Sequence, residues 1–84
     1  MEDKIIVMFQ PFDKLKNIMV YQNGERVEEV KVEADRIPAS VRGLASKYNI
    51  DKVSLCGSKA YLAKFQQEII TSANFNQALN VDII

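Results

Sequence analysis

The 84-residue chain contains no histidine and a single cysteine, Cys56. The first absence removes the commonest general base, the commonest metal ligand and the usual pH switch. One cysteine excludes an internal disulfide and any zinc site built from several thiolates, and it suits a reducing cytoplasm. Net charge is lacking as well. Eleven Lys and Arg offset eleven Asp and Glu, so no overall field draws the chain toward nucleic acid, an anionic membrane or an acidic substrate. The longest unbroken apolar run, Ile5 to Phe9, is far too short to cross a bilayer, and no segment reads as a secretory signal. A cytoplasmic location is the expectation.

What is present is an ordinary globular composition. The apolar fraction of 48% is enough for a packed core and too high for a disordered chain. The length suits one domain, residues 1–84, which on folding removes roughly two-thirds of its unfolded surface from water. No repeat, linker or low-complexity stretch interrupts it.

The N-terminal run Ile5 to Phe9 is continuously apolar and reads as a strand buried on both faces, ended by Gln10-Pro11. A loop carrying Phe12, Asp13 and Leu15 leads to a second strand, Asn17 to Gln22. Asn23-Gly24 follows, the strongest short hairpin signal, and the return strand runs from Glu25 to Glu33. A two-residue turn puts Val20 opposite Val27 and Ile18 opposite Glu29, leaving Val30 and Val32 on the wrong face. One extra residue near Glu28-Glu29 brings Val30 opposite Ile18, so a β-bulge is expected there. Glu28, Glu29, Lys31 and Glu33 suit a strand near a sheet edge.

Asp35-Arg36-Ile37-Pro38 marks the start of a helix, with Asp35 as its cap. Ile37, Val41, Leu44, Ala45 and Tyr48 form the apolar stripe of that helix, and Asn49 is its left-handed terminator. Lys52 to Cys56 reads as a short buried strand. Gly57-Ser58 turns the chain into a second helix over 58–72, capped by Ser58, with Leu62, Phe65, Ile69 and Ala73 along one face. Val81 to Ile84 reads as a last strand, joined to Lys52–Cys56 by a right-handed parallel crossover. The order is βββαβαβ: an α/β domain of α+β character, with two helices and one mixed sheet of about five strands.

That order resembles the ribonuclease H-like fold, shared by nucleases and resolvases, actin-like ATPase subdomains and nitrogenase cofactor-carrier domains. The resemblance is one of topology over most of the chain. In the nuclease branch it implies an aspartate on the first strand, with further carboxylates holding divalent metal ions. Here Ile5 to Phe9 carries no acid, and Gln10 follows. The actin-like branch implies a glycine-rich phosphate loop after that strand, where this chain has Gln10-Pro11-Phe12-Asp13. The cofactor-carrier branch implies histidine or cysteine ligands, and histidine is absent.

Four sets of residues carry candidate chemistry. Gly57-Ser58-Lys59 joins a strand to a helix, and helix N–H groups, a hydroxyl and an ammonium would together hold a phosphate. The plainer assignment is a tight turn, a cap and a solvated lysine, and the stretch is too short for a Walker loop. Asp13, Asp35, Asp51 and Asp82 offer oxygen ligands for magnesium or manganese, but turns and caps account for them equally well. Cys56, near a helix start, has the position of a nucleophile with only Lys59 to assist it, and free cysteine mostly packs as a small hydrophobe. The fourth set is a surface. Tyr61, Leu62, Phe65, Ile69 and Ile70 span a wide arc of the second helix, with Phe12, Phe75 and Leu79 in loops. Two helices cannot cover both faces of a five-stranded sheet, so the apolar first strand calls for a partner.

The expectation is therefore a small non-catalytic binding module, without metal or other cofactor. It acts through a protein–protein interface at Tyr61, Leu62, Phe65, Ile69, Ile70 and Phe75, by self-association (a dimer) or by docking to a larger partner. A chain of this size suits a stand-alone accessory or regulatory protein of phage type. The alternative is a nucleic-acid or phosphate-binding domain using Gly57-Ser58-Lys59, with Lys14, Lys16 and Lys64 converging on it. No membrane partner is expected.

Overall fold

Alternation of apolar and polar side chains sets the architecture. In the computed structural model, which describes residues 3–10, 13–71 and 78–84, five strands form one sheet. They are β1 (Lys4–Met8), β2 (Leu15–Gln22), β3 (Glu25–Glu33), β4 (Lys52–Cys56) and β5 (Asn80–Ile83). The helices are α1 (Ile37–Tyr48) and α2 (Lys59–Thr71). The strand order is β3-β2-β1-β4-β5. β2 is antiparallel to β1 and β3, whereas β1–β4 and β4–β5 are parallel pairs. The chain is thus an α/β fold with a mixed sheet, as its order of elements predicts.

The β2–β3 hairpin turns on Asn23 and Gly24, both at positive φ (55° and 81°), the conformation that a right-twisted two-residue turn demands. Tyr21 pairs with Arg26 and Val20 with Glu28, so Val27 has no partner across the ladder. The bulge that the sequence requires is present, one residue earlier than expected. It brings Val30 opposite Ile18, returning Val30 and Val32 to the packed face. Val27 itself is 45% exposed.

Chain entry into α1 differs from expectation. A 3-10 turn, Ala34–Arg36, precedes the helix and places Arg36 at the N-cap without a side-chain capping bond. Asp35 lies inside that turn, too early to cap; Pro38 sits in the first helical turn, where no N–H is needed. At the other end Asn49 adopts the left-handed conformation (φ 55°), and the Ile50 N–H reaches the Ala45 carbonyl at 2.9 Å.

One apolar cluster holds the layers together. Ile5, Val7, Ile18, Val20, Val53, Leu55 and Val81 come from alternate strand positions, Ile37, Val41, Leu44 and Ala45 from α1, and Leu62, Phe65 and Ile69 from α2. Both helices therefore pack on the same sheet face. Arg42 of α1 is 3% exposed; its Nε–H donates to the Ile69 carbonyl (2.8 Å) and Nη2 to that of Ile70 (2.9 Å). It satisfies acceptors at the end of α2 that the helix cannot. Among the described residues no helix lies over the opposite sheet face. β1 is consequently not buried on both sides: Ile5 and Val7 are fully enclosed, but Ile6 and Met8 are only half-buried.

Candidate functional site

Strand pairing fixes what the uncovered face presents. Ile6 lies between Met19 and Ser54, Met8 between Asn17 and Cys56, and Tyr21 beside Lys4. Ile6, Met8, Met19 and Tyr21 make a half-buried apolar centre, with the Tyr21 hydroxyl 3.9 Å from the Met19 sulfur. Charges of both signs border it. Arg26, Glu29 and Lys31 stand on β3 and Asp82 on β5; Asn17 Nδ2 donates to Glu29 Oε2 at 3.2 Å. An apolar strip with a mixed-charge border on an open sheet has the make-up of a contact surface.

A second feature lies where the parallel strands β1 and β4 end. Phe9, Gln10, Lys16, Ser58 and Tyr61 line a cleft of about 310 Å³. Clefts at the carboxyl ends of strands are where open α/β sheets take their ligands. Phe9, held by its N–H to the Cys56 carbonyl (3.0 Å), points to the helix side. Its ring meets Phe65 (centroids 5.0 Å) and the edge of Tyr61 (5.8 Å), and Tyr61 and Phe65 are 5.4 Å apart. Lys16 follows the inward alternation of β2 and is 8% exposed. Its ammonium donates to the carbonyls of Gln10 (2.8 Å) and Asp13.

The anticipated phosphate loop is divided by the structure. Ser58 lines the cleft, and its carbonyl accepts the Leu62 N–H at 2.9 Å, so α2 begins directly after it. Gly57 is there for space: a Cβ would stand 3.2 Å from Phe9 Cβ and 3.3 Å from Leu62 Cδ1. Lys59 and Lys64 are exposed on α2. Lys14 is exposed in a separate cleft with Gln10, Asp13, Leu15, Asn17 and Lys31. The four lysines do not line one cleft.

The anticipated interface helix needs correction. Leu62, Phe65 and Ile69 belong to the core, because β5 and α1 take up that side of α2. Only Tyr61 (52%) and Ile70 (42%) are substantially exposed. Phe75, like Phe12 and Ala73, lies outside the described residues. The aspartates are dispersed: Asp13 before β2, Asp35 before α1, Asp51 before β4 and Asp82 on β5. Among the described residues no three His, Cys, Asp or Glu gather in a metal-holding group. Cys56 is a half-buried thiol on the uncovered face.

The consecutive apolar residues of β1 and the shortage of helices point to contact on an uncovered sheet face, but not to its centre at Ile6, Met8, Met19 and Tyr21. Sequence reasoning missed the Phe9–Tyr61 wall, which depends on contact between residues 52 positions apart and leaves no local signal. Among the described residues no helix is long and apolar enough to cross a membrane. Comparison with family models, with curated proteins and with solved structures found no match for this chain.

Proposed function

We propose that this domain is a non-catalytic binding module that docks a protein partner on its uncovered sheet face. The observation that carries the reading is the apolar centre Ile6, Met8, Met19 and Tyr21 on a face that, among the described residues, no helix covers. The mixed-charge border at Arg26, Glu29, Lys31 and Asp82 would fix orientation more than it adds affinity. On this reading the interface moves from α2 to the sheet. The resemblance to ribonuclease H-like domains then extends to a scaffold, without the acids or phosphate loop those branches use. The lone cysteine and balanced charge suit work in the cytoplasm.

Solution mass by light scattering over a concentration series is the first test, with a second copy as the first partner examined. The double variant Ile6→Lys, Met19→Lys sets two ammonium groups opposite each other across β1 and β2. Its thermal midpoint should therefore fall modestly, and its fold is checked by circular dichroism before its mass is compared. A dimer in the parent chain that this variant abolishes supports the sheet-face interface. A parent monomer directs the test to capture of a foreign partner by parent and variant in parallel. Equal capture, or a dimer that survives both lysines, rejects the sheet face.

A further inference from the structure

Lys16 is a buried lysine that meets no carboxylate among the described residues. At 8% exposure it is more than nine-tenths enclosed, and the described residues offer its ammonium two carbonyls and no carboxylate. A buried charge with only dipoles around it is costly. An ammonium has three N–H donors, and two are used. Lys16 also lines the cleft, and its burial separates it from the solvated lysines of the surface.

The rest of the lining mixes polar and aromatic groups. Ser58 lines the cleft immediately before the first turn of α2, a 13-residue helix. The N–H groups of that turn have no helical acceptor and point a partial positive charge outward. Phe9 and Tyr61, the latter within that first turn, also line the cleft, and both rings meet Phe65. At about 310 Å³ the cleft is at the small end of ligand pockets.

We propose that this cleft binds a small aromatic phosphate: a phosphoryl group on Lys16 Nζ and the start of α2, with its flat ring against Phe9 and Tyr61. The proposal is independent of the sheet-face interface, which lies on the other side of the sheet. Of the four lysines expected around Gly57-Ser58-Lys59, the buried Lys16 alone lines this cleft and gives the phosphate a built partner. The aromatic wall explains why Tyr61 stays exposed at the mouth.

Phenyl phosphate added to the isotope-labelled full chain, with amide shifts as readout, tests it. Saturable shifts at Gln10, Ser58 and Tyr61 are expected at constant ionic strength. Benzyl alcohol and inorganic phosphate, each lacking one half of the probe, should bind at least about tenfold more weakly. Lys16→Met keeps the buried stem, removes the charge and should weaken binding by about tenfold or more. Tyr61→Ala, at a half-exposed position where folding is safe, should weaken it by removing one wall. Linear shifts without saturation, shifts confined to Lys14, Lys59 and Lys64, or equal affinity in Tyr61→Ala would each overturn the proposal. So would equal affinity in a folded Lys16→Met. Inorganic phosphate binding as tightly as the ester would overturn the two-part site.

Discussion

Where a polar side chain is buried here, it completes a backbone that packing alone would leave unsatisfied. Arg42 shows this between the helices. Its guanidinium answers the carbonyls of Ile69 and Ile70 from a position 3% exposed. Arg42→Leu restores apolar volume but leaves buried acceptors unmet, which costs about 3 kcal/mol. Urea denaturation should show that loss, and Arg42→Lys should recover only part of it, since one ammonium cannot reproduce the fork. Glu28 gives a second case, at the β3–α1 border. The Tyr48 hydroxyl and then the Lys47 ammonium (3.0 Å) hydrogen-bond its Oε1 and hold its carboxyl below the ordinary 4.5. In return Glu28 raises both Tyr48 and Lys47 above their ordinary values. A lowered carboxylate stabilises the fold above its unfolded pKa, and that contribution disappears as pH falls through the folded value. The raised Tyr48 and Lys47 stabilise below their unfolded values, near 10 and above, and lose that contribution as pH rises through the folded ones. The stability gap between parent and Tyr48→Phe should therefore be present at neutral pH and close below pH 4 and above pH 10 (about a unit each way). A gap that is flat with pH would show that Tyr48 contributes by packing alone.

At the scale of elements, legibility follows from how local the cause is. The Asn23-Gly24 turn, the αL terminator Asn49 and the β4 boundaries each depend on a few adjacent residues, and the sequence announces them. The bulge was legible for a different reason: only one register returns Val30 and Val32 to the core side. Its position was not, because skipping Val27 or Glu29 restores the same downstream pairing, and the choice rests on how Glu28 meets Lys47 and Tyr48. Deleting Val27 should therefore leave Val20 paired with Glu28 and Ile18 with Val30. Protected Val30 and Val32 amides in hydrogen exchange would confirm it; their loss would show that the bulge itself sustains the strand. The Asp35 cap misled because an acid before a proline fits a helix start equally well when a 3-10 turn intervenes. The α2 interface misled because periodicity shows which residues are apolar and not which neighbour covers them. Gly57 records such a long-range cause: Gly57→Ala forces its Cβ on Phe9 and Leu62 and should cost about 1–3 kcal/mol, read as a lowered midpoint in thermal denaturation.

At the scale of the molecule, the described residues form one sheet with one covered face and one core, so any strand at the border of that core carries weight out of proportion to its length. β5 is the sharpest instance. Four residues close the β4 edge: Val81 is buried, Ile83 packs on the cluster, and the Ile84 N–H binds the Leu55 carbonyl at 2.9 Å. Gln66 of α2 also donates to the Val81 carbonyl at 2.7 Å. Burial of Val81 alone contributes about 2 kcal/mol, and the lost ladder and the newly exposed side of α2 add to it. Small domains are stable by only about 5–15 kcal/mol in all, which leaves little margin. A chain ending at Asn80 should thus lose cooperative thermal unfolding by circular dichroism, whereas Ile84→Ala, at an exposed end, should keep the parent midpoint. The pair separates loss of the strand from loss of the terminus. A truncated chain that melts cooperatively at the parent temperature would mean that β1, β4 and the helices suffice to close the core.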